Sequence, residues 1–142
     1  MPPPEMPIGV LVSATAKVLS REFDAALAAV GGSRSTWLVL DALKSEGHRT
    51  QGELAEAIGI RQPTLSSHLD GLERDGLVFR ERTADNRRVQ TVTVTEAGEA
   101  LFLRLRRAAG AFDGRLRAGL DDAEVAELRR LLAQLEENAP PD

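Results

Sequence analysis

Between Gln51 and Thr95 the chain changes its hydrophobic period in an order that few folds can use. Thr50-Gln51-Gly52-Glu53 has the form of a capping box, with Thr50 expected to accept from the third helical N–H and Glu53 to reach back to the cap. Leu54, Ala55 and Ile58 then fall on one side of a short helix, and Gly59 can take the left-handed conformation that ends it. After Ile60, a second helix is expected from Gln62 to Asp75. Pro63 fits its first turn, where a missing N–H costs nothing. Leu65, Leu69 and Leu72 recur at steps of four and three, so one face of this helix is buried. The opposite side carries Gln62, Thr64, Ser66, Ser67 and His68, short hydrogen-bonding side chains near the helix N-terminus. Gly76 stops the helix. Leu77 to Arg82 reads as a strand, Thr83 to Arg88 as a turn, and Val89 to Thr95 as a β-branched strand.

Helix, tight turn, helix and basic hairpin are the parts needed to place a polar helix face in a major groove and a cationic finger beside it. The net charge of −4 stands against simple polyanion binding. Its distribution removes the conflict. Residues 61 to 88 hold six arginines (Arg61, Arg74, Arg80, Arg82, Arg87, Arg88) against five carboxylates (Asp70, Glu73, Asp75, Glu81, Asp85), and both flanking segments are net acidic. An acidic body with one local cationic element disfavours indiscriminate binding, because affinity for phosphates scales with the number neutralised.

The run GELAEAIGIRQPTLSSHLDGLERDGLVFRERTADNRRVQTVTVTEAGEAL resembles the winged helix-turn-helix core of the MarR family of bacterial transcriptional regulators. Asp85-Asn86-Arg87 and the exit Val94-Thr95-Glu96-Ala97-Gly98 are its most specific parts, and the resemblance extends over about residues 8 to 136. It implies a mainly α fold with a small β-hairpin wing, flanked by N- and C-terminal dimerisation helices. It implies a homodimeric, DNA-binding regulator, usually a repressor, on a pseudo-palindromic operator, with release by a small-molecule effector. By the same resemblance Arg87 is the wing-tip arginine that enters the minor groove, and Asp85 helps hold the wing. The expected DNA-contacting set is Gln62, Pro63, Thr64, Ser66, Ser67 and His68 on the helix, with Arg82, Asp85, Arg87 and Arg88 on the hairpin. The chain departs from the family at Ser67 and Gly71, where arginine or another long residue is common, which implies a lighter helix contact with DNA.

At 142 residues the chain has the size of one ordinary domain. Residues 1–7 are proline-rich and read as an arm, and 138–142 as a tail. Ile8 to about Val30 reads as a long helix with an imperfect stripe of Leu11, Thr15, Val18, Phe23 and Leu27, closed by Gly31-Gly32, so that 8–32 forms one dimerisation helix. Residues 33–95 form the winged region. Ser33 caps a helix from Thr36 to Lys44 that turns Trp37, Leu40 and Leu43 inward. Trp37 reads first as core. The family's effector cleft lies in this region, so an effector contact through Trp37 is the second reading. Residues 96–137 are two more helices. Leu101, Leu105, Ala108, Phe112 and Leu116 mark the first, where Gly110 and Gly114 suggest a bend or a close helix contact. Asp121 to Glu124 repeats the capping-box form, and Val125, Leu128, Leu132 and Leu135 mark the second. No repeat is visible, so two-fold reading of DNA requires a second copy.

The chain has no cysteine, hence no disulfide, thiolate metal site or thiol sensor, and only His48 and His68 as histidines. No metal, cofactor or catalytic group is expected. Adjacent Ser67 and His68 point different ways on a helix and do not make a nucleophile pair. The absence of an apolar span or leader pattern favours the cytoplasm. Two alternatives stay open on these residues: a winged helix resembling the ArsR regulators, for which QPTLSSHLDGLERDGLV would suffice, and a winged helix that binds protein instead of DNA.

Overall fold

The computed structural model describes residues 5–46, 49–82 and 90–140. The chain divides into two compact units, Met1–Ala109 and Gly110–Asp142. Its elements run α1 (Ile8–Ala28), α2 (Arg34–Glu46), β1 (Arg49–Thr50), α3 (Gln51–Ile58), α4 (Gln62–Arg74), β2 (Val78–Arg82), β3 (Gln90–Val94), α5 (Glu96–Leu116) and α6 (Asp122–Asn138). This is the mainly α class with a small hairpin that the sequence implies.

The first unit is held by one cluster drawn from many short segments. Leu27 of α1, Leu40 and Leu43 of α2, Leu54 of α3, Leu65 and Leu69 of α4, Val92 of β3 and Leu105 of α5 are all at most 1 % exposed. Each such side chain contributes roughly 1.5–3 kcal/mol when removed from water, an upper figure because the unfolded chain already hides some of it. Leu65, Leu69 and Leu72 therefore fix the rotation of α4 about its axis, and with it the direction of the helix's polar side. Val39, also buried, is a core residue that the spacing of Trp37, Leu40 and Leu43 does not indicate.

Two corrections concern local structure. The sheet has three antiparallel strands in the order β1-β3-β2, not two: Arg49 and Thr50 pair with Val92 and Thr91. Two residues carry no visible alternation, so β1 is set by pairing with β3 and not by its own pattern. The second correction is the cap of α3. Thr50 Oγ1 accepts from Glu53 N at 3.1 Å as expected, but it is the Thr50 hydroxyl, donating at 2.8 Å, that meets the Glu53 carboxylate, so the reciprocal backbone bond of a full box is absent. At α6 the full box forms, with Asp121 and Glu124 each accepting from the other's backbone N–H.

The α4–β2 turn and the start of α5 are joined closely. Gly76 takes φ 74° after α4. Thr95 N donates to Leu77 O at 3.0 Å, and the Thr95 hydroxyl donates to Gly76 O at 2.6 Å while accepting from Gly98 N. Gly98 is buried so tightly that a Cβ there would overlap Leu77 O and press Val94. Gly110 and Gly114 behave otherwise: α5 runs continuously past both to Leu116, and a Cβ on either would meet open space. The close contact expected at those glycines is therefore not made within the chain, among the described residues.

In the second unit Phe112 and Val125 are buried. Two of the four residues of the stripe expected on α6, Leu128 and Leu132, are 47 % and 43 % exposed, as is neighbouring Leu131 at 45 %, while Leu135 is half-buried. On α1, Ile8, Val10 and Val18 are likewise exposed.

Candidate nucleic-acid interface

The turn between α3 and α4 is built as the glycine requires. Gly59 takes φ 82°, and its N–H and that of Ile60 both donate to Ala55 O. α4 then starts at Gln62 without a side-chain cap, and Pro63 in its first turn has no N–H to satisfy. A helix N-terminus left without a capping acceptor presents backbone donors and partial positive charge to whatever anion approaches it.

The expected helix residues divide by exposure. Gln62, Pro63, Thr64 and Ser67 are exposed, whereas Ser66 and His68 are half-buried. Gln62 and Ser66, one turn apart, line a polar hollow of about 460 Å³ together with Gln51 and Gly52 of α3, Arg80 of β2 and Gln90 of β3. The hollow thus gathers groups from both helices and from both strands of the hairpin. Thr64, Ser67 and His68 do not line it. Arg82 is exposed at the end of β2. Asp85, Arg87 and Arg88 lie outside the described residues, as does His48. Trp37 belongs elsewhere. It packs edge-on against Phe23 of α1, with ring centroids 6.0 Å apart, and Arg34 lies over the Phe23 ring at 5.7 Å. Arg34 also donates to Asp24 and to Ser20 O, tying α2 to α1. Among the described residues the indole Nε1 of Trp37 is buried without a hydrogen-bond partner, an uncommon state for an N–H group.

One side chain at the hollow escaped the sequence reading. Arg80 follows Val78 by two residues, so β2 turns both to the same face, opposite buried Val92. Phe79, on the other face, is 41 % exposed. An arginine on the inner face of a strand must find a counter-charge, and Arg80 finds two on α4. Its Nη2 donates to Asp70 Oδ1 at 2.5 Å and to Glu73 Oε1 at 3.1 Å, and its backbone N–H donates to Glu73 Oε2 at 3.0 Å. Only 16 % of the Arg80 side chain is exposed. The hydrogen bonds from the Arg80 side chain and then from its backbone hold the Glu73 carboxyl below its ordinary pKa. Partial burial works against the Arg80 cation, but the bonds to Asp70 and Glu73 outweigh it and leave its pKa raised. The usable sequence signal was the alternation Val78, Arg80 on the inner face with Phe79 outside.

Two helices crossing at a glycine turn, the second with a polar outer side, and an antiparallel hairpin following it define a winged helix-turn-helix. Residues 31–89 match the model of the MarR family. The likeness of fold extends further. The transcriptional repressor CouR, in a complex with a 23-mer DNA duplex, is 26 % identical with a TM-score of 0.82, over 91 % of this chain and 92 % of that one. A mutant MarR from E. coli complexed with operator DNA is 24 % identical with a TM-score of 0.80, over 92 % and 94 %. The organohalide-sensing regulator RdhR, in its 2,4-dichlorophenol-bound form, is 19 % identical with a TM-score of 0.82, over 93 % and 79 %. The family and these three structures are of transcription regulators and not of enzymes. Among the described residues no helix is long and apolar enough to cross a membrane.

Proposed function

We propose that this chain is a sequence-specific DNA-binding transcription regulator that acts as a homodimer on a pseudo-palindromic operator, as a repressor. The observation that carries the reading is the setting of α4: Leu65, Leu69 and Leu72 lock one face into the core, while Gln62, Thr64 and Ser67 stand exposed at its uncapped N-terminus. The family match over residues 31–89 and the fold shared with DNA-bound CouR support it. In this reading the helix residues meet major-groove edges and nearby phosphates, and Arg82, Arg87 and Arg88 follow the backbone and minor groove of the flank.

The exposed leucines of α6 and the apolar residues of α1 support assembly of two copies through residues 8–32 and 96–137, since a single chain leaves these stripes in water. A two-fold dimer places its recognition helices about one helical turn, roughly 34 Å, apart on one face of the duplex. Trp37, with its orphaned N–H in an aromatic corner, supports an effector contact there, suited to an anionic or aromatic compound with an acceptor oxygen. Such a compound releases DNA only if it binds the DNA-incompetent arrangement more tightly. Footprinting on genomic fragments, with light scattering for mass, tests the proposal. The expected result is protection of two related half-sites by a two-chain particle. Protection of one asymmetric half-site by a single chain overturns the dimeric reading, and no shift with any genomic fragment overturns DNA binding in favour of a protein-interaction module.

A further inference from the structure

The polar stripe of α4 does not end at Ser66. Gln62, Ser66, Asp70 and Glu73 follow one another at steps of four, four and three, so they share one side of the helix. Two residues of that side are neutral groups that both donate and accept, and two are carboxylates, 56 % and 41 % exposed at their side chains. A helix that approaches a polyanion with two carboxylates on its polar side is repelled by it. The same two carboxylates are the partners of Arg80, which lines the hollow with Gln62 and Ser66.

We propose that Arg80 serves the DNA interface as a positioning residue that acts through charge: it masks Asp70 and Glu73 on the recognition helix. The inference rests on the DNA-binding reading. The geometry suits the task. One guanidinium nitrogen serves two carboxylates a turn apart on α4, while the second oxygen of Glu73 accepts from the backbone of β2 itself, so strand and helix are tied at side chain and main chain together. These bonds hold the Glu73 pKa below its ordinary value, so its negative charge is present near neutrality and has to be covered. Arg80 is itself mostly enclosed and already engaged, which sets it apart from the exposed Arg82.

The test compares the wild type with Arg80→Gln, Asp70→Asn/Glu73→Gln and the triple variant Arg80→Gln/Asp70→Asn/Glu73→Gln. The probe is a duplex recovered from genomic DNA by binding to the wild-type chain, and affinity is measured at low and moderate salt and at several pH values. Arg80→Gln bares two carboxylates per chain, four per dimer. Taken at roughly 10 Å from phosphate in water, they weaken binding about tenfold at low salt. The triple variant has lost every ionic bond of the cluster, yet is expected to return to within about threefold of the wild type, since it presents no carboxylate. Arg80→Gln should also regain affinity as the pH is lowered towards the carboxylate range, a trend the triple variant lacks. A merely structural role for Arg80 predicts neither the recovery nor the pH trend. A triple variant as weak as Arg80→Gln overturns the masking role. Should Arg80→Gln fail to fold by circular dichroism, Asp70→Asn/Glu73→Gln decides: it is expected to bind at least as tightly as the wild type, and a clear loss overturns the proposal. Wild-type binding with unchanged affinity in Arg80→Gln sinks this inference alone, whereas a wild type that retains no duplex sinks the DNA reading and this inference with it.

Discussion

Three glycines of α5 should respond to the same substitution with opposite signs. In an exposed helix interior, Gly→Ala is worth about 0.5–1 kcal/mol in favour of the helix, from backbone entropy alone. At Gly110 and Gly114 a new Cβ meets open space, so Gly110→Ala and Gly114→Ala should each stabilise the chain by about that amount. At Gly98 the Cβ would overlap Leu77 O and come within 2.8 Å of Val94 Cγ1. The carbonyl cannot rotate away, because Leu77 O already accepts from Thr95 N at 3.0 Å, and the whole turn after α4 is bonded to Thr95. Overpacking against backbone of this kind costs about 1–3 kcal/mol, which outweighs the helical gain and leaves Gly98→Ala destabilised by up to about 2 kcal/mol. Urea unfolding followed by circular dichroism, at one fixed protein concentration, measures all three. The midpoint should rise for the two distal variants and fall for Gly98→Ala with an unchanged slope. A rise for Gly98→Ala equal to that of Gly110→Ala would refute the close approach of α5 to the α4–β2 turn. A concentration-dependent loss at Gly110→Ala or Gly114→Ala would show that a second copy fills the space the single chain leaves open.

Leu128 is 47 % exposed on α6, so Leu128→Glu should leave the first unit folded but shift the light-scattering mass from two chains towards one; an unchanged dimer would remove α6 from the interface. Because the Arg80 bonds lower the folded-state pKa of Glu73, its contribution to stability is full above the ordinary carboxylate value and is lost as the pH falls through the folded value; Glu73→Gln should therefore flatten the acid limb of the stability–pH curve and leave the alkaline limb alone, and an identical acid limb contradicts the pairing. Asp121→Ala removes one half of a complete capping box and should cost about 1 kcal/mol, while Asp121→Asn, which keeps the acceptor, should cost less; equal losses by thermal melt would point to charge and not to the cap. Gln62→Ala should weaken cognate sites more than scrambled ones, whereas Arg87→Ala should weaken both and flatten the salt dependence; competition binding at two salt concentrations separates these, and equal losses for Gln62→Ala would assign its contact to phosphate.

Much of the helical framework was legible because its signals are local. The steps of Leu65, Leu69 and Leu72, the glycine after each of α3 and α4, and the caps at Thr50, Ser33 and Asp121 each act within one or two turns of chain. So the order of helices, the hairpin and the polar side of α4 could be read from residue order alone, with ends off by a residue or two. What could not be read depends on residues far apart in the chain. The strand Arg49–Thr50 exists because β3 offers it an edge, and Glu53 meets the Thr50 hydroxyl where the cap pattern led one to expect a backbone donor. Gly98 looks in the sequence like Gly110 and Gly114, yet only Gly98 faces a carbonyl that a turn twenty residues earlier brings to it. Arg80 is one of six arginines in its segment until β2 turns it inward against Asp70 and Glu73. Periodicity determines which face of an element is apolar, because that is a property of consecutive residues. Only the tertiary structure decides which partner that face, or a charge upon it, will meet, because the partner comes from another part of the chain.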